Sequence, residues 1–287
     1  MFALMVIKES YRNFLLKLQG IYHLGEATTI TDWVFEKVAT LKKADIIKAP
    51  AQPLNHSTIK LLNEALQQLL EHKPVQYVLG EAWFYHLKLK VDEQVLIPRP
   101  ETEELVELII SNRRSKITDP AILDIGTGSG CIPIVIKKNL PAAKLTAVDV
   151  SEKALELAKE NAAQHNTWVN FITMDFLDEK QWTRLPIFDI IISNPPYIPL
   201  SEKGQLAKNV VAYEPHTALF VPDENPLIFY EKIAAFSKTH LLPGGMIFLE
   251  THEDLAKEVA MLFNREHSNT EIKKDIFGKS RMVIVTT

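Results

Sequence analysis

A glycine-rich turn between an apolar strand and a helix is the feature that most constrains the fold of this chain. The run Ala121–Ile125 is short and apolar, as buried strands are, and Gly-Thr-Gly-Ser-Gly follows it directly at residues 126–130. Residues 131–138 then have a helical pattern, which tolerates Pro133 because proline fits the first turn of a helix. A turn of this kind lets the backbone approach a ligand closely. The sequence therefore predicts an α/β unit with a ligand at this turn.

The spacing of the glycines separates two classes of cofactor. A dinucleotide fingerprint, G-x-G-x-x-G, needs a third glycine at position 131, where this chain has Cys131, and its third glycine, Gly130, falls one residue early. Asp124 lies two residues before the first glycine. The pattern D-x-G-x-G-x-G resembles the first motif of class I S-adenosylmethionine-dependent methyltransferases. That resemblance implies S-adenosylmethionine as the cofactor, and a turn without any ligand is the alternative.

Two further strands are predicted to end in acidic residues. The run Lys144–Asp149 carries Asp149 at its tip, where a carboxylate can accept both hydroxyls of a ribose in nucleotide-binding and methyltransferase folds alike. A third strand, residues 169–176, ends at Asp175 and Phe176. In the methyltransferase interpretation, Asp175 accepts from the adenine amino group and Phe176 lies near the adenine ring. A solvated loop acid is the alternative for Asp175.

The tetrapeptide Asn194-Pro195-Pro196-Tyr197 follows the apolar strand Phe188–Ser193. Its two prolines remove two N–H donors and fix two φ angles, and a residue before proline is pushed towards extended geometry. The Asn194 side-chain oxygen and the Pro195 carbonyl can then accept the two hydrogens of a planar NH₂ group, with Tyr197 packed beside its plane. A plain Pro-Pro turn is the alternative.

Composition limits the partners of the chain. Its 287 residues suffice for two domains, and 32 Lys and Arg against 36 Asp and Glu give a net charge of −4, which argues against a large basic surface for duplex DNA but leaves room for a local patch. The single cysteine excludes an internal disulfide framework and fits a reducing cytosol. No apolar run approaches the roughly eighteen residues of a membrane span, and the histidines lack metal-ligand spacing. We therefore expect a cytoplasmic protein without a membrane partner or a metal.

Three sections are predicted along the chain. Residues 1–72 show helical periodicity without strand signals and predict a small helical bundle, in which Thr31 or Asp32 caps the second helix. Residues 73–97 predict a β-hairpin linker, with one strand from Trp83 to Val91 and a turn at Asp92-Glu93. Residues 98–287 alternate strands and helices, so they predict a mainly parallel sheet covered on both faces. Two strands at their end predict a terminal antiparallel hairpin, which a dinucleotide-binding half lacks.

Three more segments narrow the resemblance. Residues 97–103 read Ile-Pro-Arg-Pro-Glu-Thr-Glu, residues 74–80 read Pro-Val-Gln-Tyr-Val-Leu-Gly, and residues 213–219 read Tyr-Glu-Pro-His-Thr-Ala-Leu. Together with the glycine motif and N-P-P-Y, they closely resemble the bacterial peptide chain release factor glutamine methyltransferases over essentially the whole chain. The resemblance implies a class I, Rossmann-like methyltransferase domain with a seven-stranded sheet, and an N-terminal helical domain that recognises the substrate.

The resemblance also implies a reaction and a set of site residues. A methyl group would pass from S-adenosylmethionine, leaving S-adenosylhomocysteine, to the side-chain nitrogen (N5) of the glutamine in the Gly-Gly-Gln motif of release factors. We expect a monomer without a stable nucleic-acid partner. The expected catalytic residues are Asn194, Pro195 and Tyr197. The expected cofactor-binding residues are Asp124, Gly126, Thr127, Gly128, Gly130, Asp149, Asp175, Phe176 and Asn194. The expected substrate-binding residues are Asn194, Pro195, Pro196, Tyr197, Arg99 and Glu101.

Several assignments have alternatives. Arg99, Glu101 and Glu103 either shape the mouth of the site or form the charged start of a helix at Pro100. Glu214 either orients the loop after N-P-P-Y or is an ordinary turn acid. Adenine-N6 and guanine-N2 methyltransferases of nucleic acids use a similar loop on exocyclic amines, so such an enzyme is the second functional hypothesis. A non-catalytic module that binds the ribosome or a release factor is the third.

Overall fold

The computed structural model describes residues 5–111, 118–264 and 269–287. The chain forms two compact units, one of Met1–Gly80 with Ala207–Tyr213, and one of Glu81–Leu206 with Glu214–Thr287. The division into residues 1–72, 73–97 and 98–287 by role stays a prediction.

The α-helices of the described residues are α1 (Ile7–Leu18), α2 (Leu24–Ala39), α3 (Lys43–Lys48), α4 (His56–Leu70), α5 (Val75–Leu79), α6 (Pro100–Ile110), α7 (Cys131–Asn139), α8 (Glu152–Gln164), α9 (Lys208–Tyr213), α10 (Ile228–His240) and α11 (Ala256–Asn264). The β-strands are β1 (Glu81–Phe84), β2 (Leu87–Lys90), β3 (Ala121–Ile125), β4 (Lys144–Asp149), β5 (Asn170–Thr173), β6 (Phe188–Ser193), β7 (Ile198–Pro199), β8 (Phe220–Val221), β9 (Leu241–Glu250), β10 (Asn269–Lys274) and β11 (Ser280–Thr286).

The first unit is a helical bundle around aromatic and aliphatic side chains. Phe35 of α2 is fully buried and meets the ring of Phe14 edge-on at 5.7 Å between centroids, a favoured aromatic geometry. Leu18 of α1 and Leu69 of α4 are also fully buried in this core. Burying each such side chain contributes roughly 1.5–3 kcal/mol. The apolar periodicity of this part of the sequence therefore belongs to a core.

The predicted start of the second helix is wrong. Helix α2 begins at Leu24, seven residues before Thr31, and its N-cap residue His23 makes no side-chain cap. The Thr31 hydroxyl donates to the Ala27 carbonyl one turn back (2.7 Å), and Asp32 accepts from the Tyr11 hydroxyl (2.6 Å). Each of these polar side chains has a hydrogen-bond partner, Thr31 within its own helix and Asp32 on another helix. Both residues can therefore occupy the interior of α2, although their residue types are typical of helix caps.

The second unit contains a seven-stranded sheet with the order β10-β11-β9-β6-β3-β4-β5. Strands β9, β6, β3, β4 and β5 are parallel to one another, whereas β11 is antiparallel to both β9 and β10. The predicted mainly parallel sheet with a terminal antiparallel hairpin is confirmed. Helices α6, α7 and α8 contribute to the core on one face of this sheet, and α10 and α11 to the core on the other.

The alternation of side chains along the strands explains the two cores. On β6, Ile190 and Ile192 belong to one core and Ile191 to the other. All three are 4% exposed or less. A strand buried on both faces reads as a continuous apolar run, so the same sequence signal that predicted β6 also required helices on both sides.

The predicted hairpin exists, but its predicted turn is wrong. Strands β1 and β2 pair through a two-residue turn at Tyr85 and His86, whose φ angles are 47° and 65°. Such turns usually select Asn or Gly, so this sequence gave no signal. Here the Glu103 carboxylate of α6 accepts the Tyr85 N–H (2.9 Å). On the first strand Phe84 is fully buried and Trp83 is 62% exposed, and on the second strand Leu89 is fully buried.

Candidate active site

The carboxyl ends of β3, β4 and β6 meet at one edge of the sheet. Ile125 of β3 pairs with Val148 of β4 and with Ser193 of β6. The buried Ser193 hydroxyl donates to the Ile125 carbonyl (2.8 Å). Residues 126 and 194 therefore leave neighbouring strands side by side. The structure thus brings the glycine turn and the N-P-P-Y loop together.

The glycine turn presents open backbone at this edge. Gly126 and Gly128 have φ angles of +76° and +52°, and a Cβ on either would meet no atom within 4 Å. Residues other than glycine rarely adopt such φ values, so the backbone conformation alone favours glycine at both positions. Gly130 differs, because its Cβ would lie 3.1 Å from the Ala158 Cβ of α8. Thr127, between the first two glycines, is buried. The turn is therefore exposed to a ligand at its start and packed against a helix at its end.

The Asp149 carboxylate is held at the tip of β4 by backbone donors. Its Oδ2 accepts the Gly128 N–H (2.8 Å) and its Oδ1 accepts the Ser151 N–H (2.9 Å). Burial raises the pKa of Asp149. Each carboxylate oxygen still has lone-pair capacity for another donor, so this fixed group can receive two hydroxyls of a ligand.

Asp124 is the strongest sign that a ligand belongs at this edge. Its side chain is fully buried, and neither carboxyl oxygen has a hydrogen-bond partner among the described residues. Burial raises the pKa of Asp124 to about 7, although the neighbouring Thr127 hydroxyl, which lies outside good hydrogen-bond geometry, favours the charged form. A buried polar group without a partner is unfavourable. A ligand that brings positive charge or N–H donors to the glycine turn would supply the missing partner.

The residues after β5 have different environments. Asp175 is exposed, and its Oδ1 accepts the Leu177 N–H (3.0 Å). Phe176 is 5% exposed and packs in an aromatic cluster with Trp182 and Phe236, at centroid distances of 5.5 and 5.3 Å. The predicted strand over residues 169–176 is too long, because β5 ends at Thr173, opposite Asp149 of β4, and both residues follow the strand. Their contacts with an adenine group stay predictions.

The N-P-P-Y loop begins at the end of β6. Asn194 is half-buried, and its Nδ2 donates to the Thr102 hydroxyl oxygen (3.1 Å). Among the described residues no donor reaches Asn194 Oδ1, so this oxygen can accept from a substrate. Pro195 is buried, and Pro196 and Tyr197 are half-buried. The Tyr197 ring lies tilted against His252, with centroids 6.1 Å apart.

Two residues of this region had no assigned role in the sequence. Thr102, in the first turn of α6, donates its hydroxyl hydrogen to Oε2 of Glu250 (2.7 Å). Glu250 ends β9 and is 1% exposed, and burial raises its pKa to about 7. Thr102 lies between Glu101 and Glu103 in the segment 97–103, and a threonine at a charged helix start carries no local signal of a role. The burial of Glu250 results from the fold and has no signal in the sequence around it.

Arg99 and Glu214 form an ion pair. Arg99 Nη2 lies 2.7 and 2.8 Å from the two carboxylate oxygens of Glu214, and the Glu214 side chain is 1% exposed against 33% for Arg99. This pair fixes the start of the segment after α9 to the start of α6. Glu101 is half-buried in the first turn of α6. Glu103 holds the β1–β2 turn instead of lining the edge of the sheet.

The described residues contain no cluster of three His, Cys, Asp or Glu side chains that could hold a metal ion. Among the helices of the described ranges, none has the length and apolar character needed to cross a membrane.

This combination of sheet and site defines a class I methyltransferase. The parallel sheet ends in an antiparallel strand, β11, inserted between β9 and β10, and the glycine turn with its acidic neighbours occupies the edge where this class binds its methyl donor. A methyltransferase from Pyrococcus furiosus has the same fold, with a TM-score of 0.50 and 19% identity over 78% of this chain and 98% of that one.

Sequence comparison identifies the particular family. The Methyltransferase small domain matches residues 102–216 and the PrmC N-terminal domain matches residues 12–80. The chain is 42% identical to the release factor glutamine methyltransferase of Flavobacterium psychrophilum, over 98% of this chain and 99% of that protein. It is 40% identical to that of Streptococcus pneumoniae, over 98% of each chain. The chain belongs to the release factor glutamine methyltransferase family, and the predicted family is confirmed.

Proposed function

We propose that this protein transfers a methyl group from S-adenosylmethionine to the side-chain amide nitrogen, N5, of the glutamine in the Gly-Gly-Gln motif of peptide chain release factors. The observation that carries the proposal is the placement of Asn194 beside the glycine turn, with its Oδ1 open to a donor. Family membership supports a protein amide as the target.

The glycine turn and its acids fit S-adenosylmethionine. This cofactor supplies an electrophilic methyl group on a positively charged sulfonium. The fit rests on the buried Asp124, whose carboxyl oxygens have no partner in the described chain, and on the open backbone at Gly126 and Gly128. Asp149 would accept the ribose hydroxyls with the lone pairs that Gly128 and Ser151 leave free.

The N-P-P-Y loop would position the substrate amide. An amide nitrogen is a poor nucleophile because its lone pair is delocalised into the carbonyl, and no side chain can usefully deprotonate it at neutral pH. Asn194 Oδ1 and the Pro195 carbonyl oxygen would accept its two hydrogens and turn one face of the nitrogen towards the methyl group. Both acceptors also stabilise positive charge that develops on that nitrogen. Holding the reacting atoms in line supplies much of the remaining rate, and the proton leaves after transfer.

Incorporation of labelled methyl groups tests this function. The enzyme is incubated with labelled S-adenosylmethionine and purified bacterial release factor, and the matched control is the same release factor with the Gly-Gly-Gln glutamine replaced by alanine. We expect label in the first protein and none in the control. Label in both, or in neither, contradicts the proposed target.

The nucleic-acid alternative is tested in the same assay. It requires a basic groove for phosphates, whereas the whole chain has a net charge of −4. Duplex DNA and ribosomal RNA replace the release factor as acceptors. Label in nucleic acid but not in release factor would favour an exocyclic-amine methyltransferase.

We further propose that the helical unit recognises the release factor. Residues Ala207–Tyr213 belong to this unit although the chain on both sides of them belongs to the other. Within the unit, the Tyr213 hydroxyl donates to the Glu71 carbonyl (2.9 Å). The segment that follows the N-P-P-Y loop is therefore anchored in the helical unit, which supports a role in binding the protein that carries the glutamine.

Deletion of residues 1–72 tests this role. We expect a larger loss of affinity for the release factor than for S-adenosylmethionine, measured by calorimetry for each. Equal losses would show that the helices serve only the stability of the chain. The protein would act as a monomer in the cytoplasm, where release factors meet the ribosome, and sedimentation checks its oligomeric state.

A further inference from the structure

We propose that Glu250 and Thr102 set the direction of the Asn194 side-chain amide, so that Asn194 presents its oxygen and not its nitrogen to the substrate. Glu250 and Thr102 are positioning residues in this account, since neither needs to touch the substrate. The inference rests on the proposed function, because it concerns how the acceptor for the substrate NH₂ group is prepared.

The three residues come from three elements that meet at one edge of the sheet. Ser193 of β6 pairs with Leu249 of β9, so the next residues, Asn194 and Glu250, leave adjacent strands side by side. Thr102 reaches them from the first turn of α6 and is 3% exposed. Its hydroxyl lies 3.1 Å from Asn194 Nδ2 and 2.7 Å from Glu250 Oε2. The three side chains therefore form a continuous, largely buried hydrogen-bonded chain.

The direction of the hydrogen bonds that join Glu250, Thr102 and Asn194 follows from counting the hydrogens that each group can donate. An ionised carboxylate has no hydrogen and only accepts, so the bond to Glu250 must use the single hydroxyl hydrogen of Thr102. The Thr102 oxygen then has only lone pairs left, and its other neighbour must donate. Of the two ends of the Asn194 amide, only the NH₂ group can donate. The NH₂ group is thereby held towards Thr102, and Oδ1 is turned outwards as an acceptor.

Protonation of Glu250 removes this constraint. A protonated Glu250 can donate to Thr102, whose own hydrogen is then free to bond Asn194 Oδ1. In that arrangement the Asn194 amide is reversed, and its NH₂ group faces the NH₂ group of the substrate. Two donors opposite each other make no hydrogen bond, so the reversed amide cannot hold the substrate. The hydrogen bonds through Thr102 therefore select the productive orientation of the Asn194 amide only while Glu250 is ionised.

The surroundings of Glu250 place its ionisation near neutral pH. Burial raises the pKa of Glu250 to about 7, with Glu101 of α6 acting in the same direction, whereas Thr102, Arg281 of β11 and Tyr197 favour the charged form. The Tyr197 hydroxyl makes a long contact of 3.4 Å with Oε1. Two further titratable groups face Glu250. They are Tyr230 of α10, which donates to its backbone carbonyl, and the Cys131 thiol of α7.

Substitutions of Glu250 and Thr102 in the full-length enzyme test the inference. The readout is kcat/KM for the release factor against pH, which at saturating S-adenosylmethionine reports ionisations of the enzyme–cofactor complex that binds the release factor. S-Adenosylmethionine is kept saturating so that the ionisation of Asp124 does not enter through cofactor binding. For the wild type we expect kcat/KM to rise with pH through about 7, because the deprotonated carboxylate is the active form.

Glu250→Gln should lower kcat/KM about tenfold at pH 8, the size expected for one lost hydrogen bond, and abolish the rise with pH. A glutamine can offer either its oxygen or its nitrogen to Thr102, so it no longer selects one direction. Thr102→Val should give a similar loss, and Thr102→Ser should restore most of it, since serine keeps the hydroxyl. In the double variant Glu250→Gln/Thr102→Val, kcat/KM should fall about tenfold and not a hundredfold, because both substitutions interrupt the same hydrogen-bonded chain.

Thr146→Val is the matched control for a buried threonine. Thr146 lies within β4 and is 8% exposed, outside the hydrogen-bonded chain of Glu250, Thr102 and Asn194, so this variant should keep the wild-type kcat/KM. Thermal denaturation confirms that each variant is folded. Full activity of Glu250→Gln, a retained acidic limb in that variant, or multiplied losses in the double variant would overturn the inference while the proposed function stands. A wild-type enzyme that leaves release factor unlabelled would overturn both.

Discussion

Ser193 lies beside Ile125 in the parallel sheet, and its hydroxyl donates to the Ile125 carbonyl at the point where both strands end (2.8 Å). The glycine turn follows one strand and Asn194 the other. The proposed methyl donor and acceptor are thereby carried by neighbouring, hydrogen-bonded strands of a buried sheet. Rigid strand ends hold such groups more precisely than mobile loops can, which suits a reaction that depends on alignment.

Asn194→Ala should separate methyl transfer from cofactor binding. It removes the oxygen that accepts from the substrate nitrogen, so we expect kcat to fall by roughly 10²–10³, as when one preorganised hydrogen-bonding group is lost. The dissociation constant for S-adenosylmethionine should change little. Labelled methyl transfer and titration calorimetry measure the two quantities. Asn170→Ala, at an exposed position on β5, is the control, and near-normal kcat in Asn194→Ala would show that the acceptor role is wrong.

Asp149→Ala should weaken cofactor binding more than catalysis. The substitution removes the acceptor for ribose hydroxyls and releases the Gly128 and Ser151 N–H groups that the carboxylate holds. Loss of hydrogen bonds to a charged group costs about 1.5–3 kcal/mol, so the dissociation constant for S-adenosylmethionine should rise at least tenfold. Calorimetry gives this value. Asp119→Asn, an exposed acid paired with Lys144, should leave it unchanged, and equal effects of both substitutions would contradict the assignment.

The sequence predicted those parts of the site that are contiguous in the chain. The glycine turn and N-P-P-Y each follow a strand whose apolar run was evident, and strand ends of a parallel sheet converge on one edge. Their closeness therefore followed from the fold class without knowledge of any distance. The same argument predicted the terminal hairpin, because its two strands are adjacent in the chain.

Contacts between distant segments explain what the sequence did not predict. The β1–β2 turn depends on Glu103, 18 positions from Tyr85, which accepts its N–H. The bond from Thr102 to Glu250 spans 148 positions. No local pattern distinguishes such residues from an ordinary helix start or strand end. Polar residues buried by the fold thus became visible only in three dimensions.

Arg99→Ala should destabilise the protein more than loss of the whole ion pair. The Glu214 side chain is 1% exposed, so removing Arg99 leaves a buried carboxylate without its cation, a change that costs on the order of 3 kcal/mol. The double variant Arg99→Ala/Glu214→Gln carries no such charge and should recover part of the loss. Thermal denaturation at pH 8 measures both. Equal melting temperatures for the single and double variants would mean that Glu214 is not held by Arg99.

Asp124→Asn should stabilise the cofactor-free protein at high pH while it weakens S-adenosylmethionine binding. An aspartate in an unfolded chain has a pKa of about 3.9, whereas burial raises that of Asp124 to about 7 in the folded protein. An acid whose folded pKa is raised binds protons more tightly in the folded state, so its contribution to stability is lost as pH rises from about 4 to 7. At pH 8 the loss is on the order of 4 kcal/mol.

Asparagine does not ionise, so the melting temperature of Asp124→Asn relative to the wild type should increase between pH 4.5 and pH 8. Glu250 also titrates in this range, but it is present in both proteins and cancels from the comparison. Added S-adenosylmethionine should reverse the order at pH 8, because it stabilises whichever protein binds it more tightly. A difference in melting temperature that is independent of pH would show that ionisation of Asp124 does not destabilise the folded protein. Asp124 would then not need a cationic ligand.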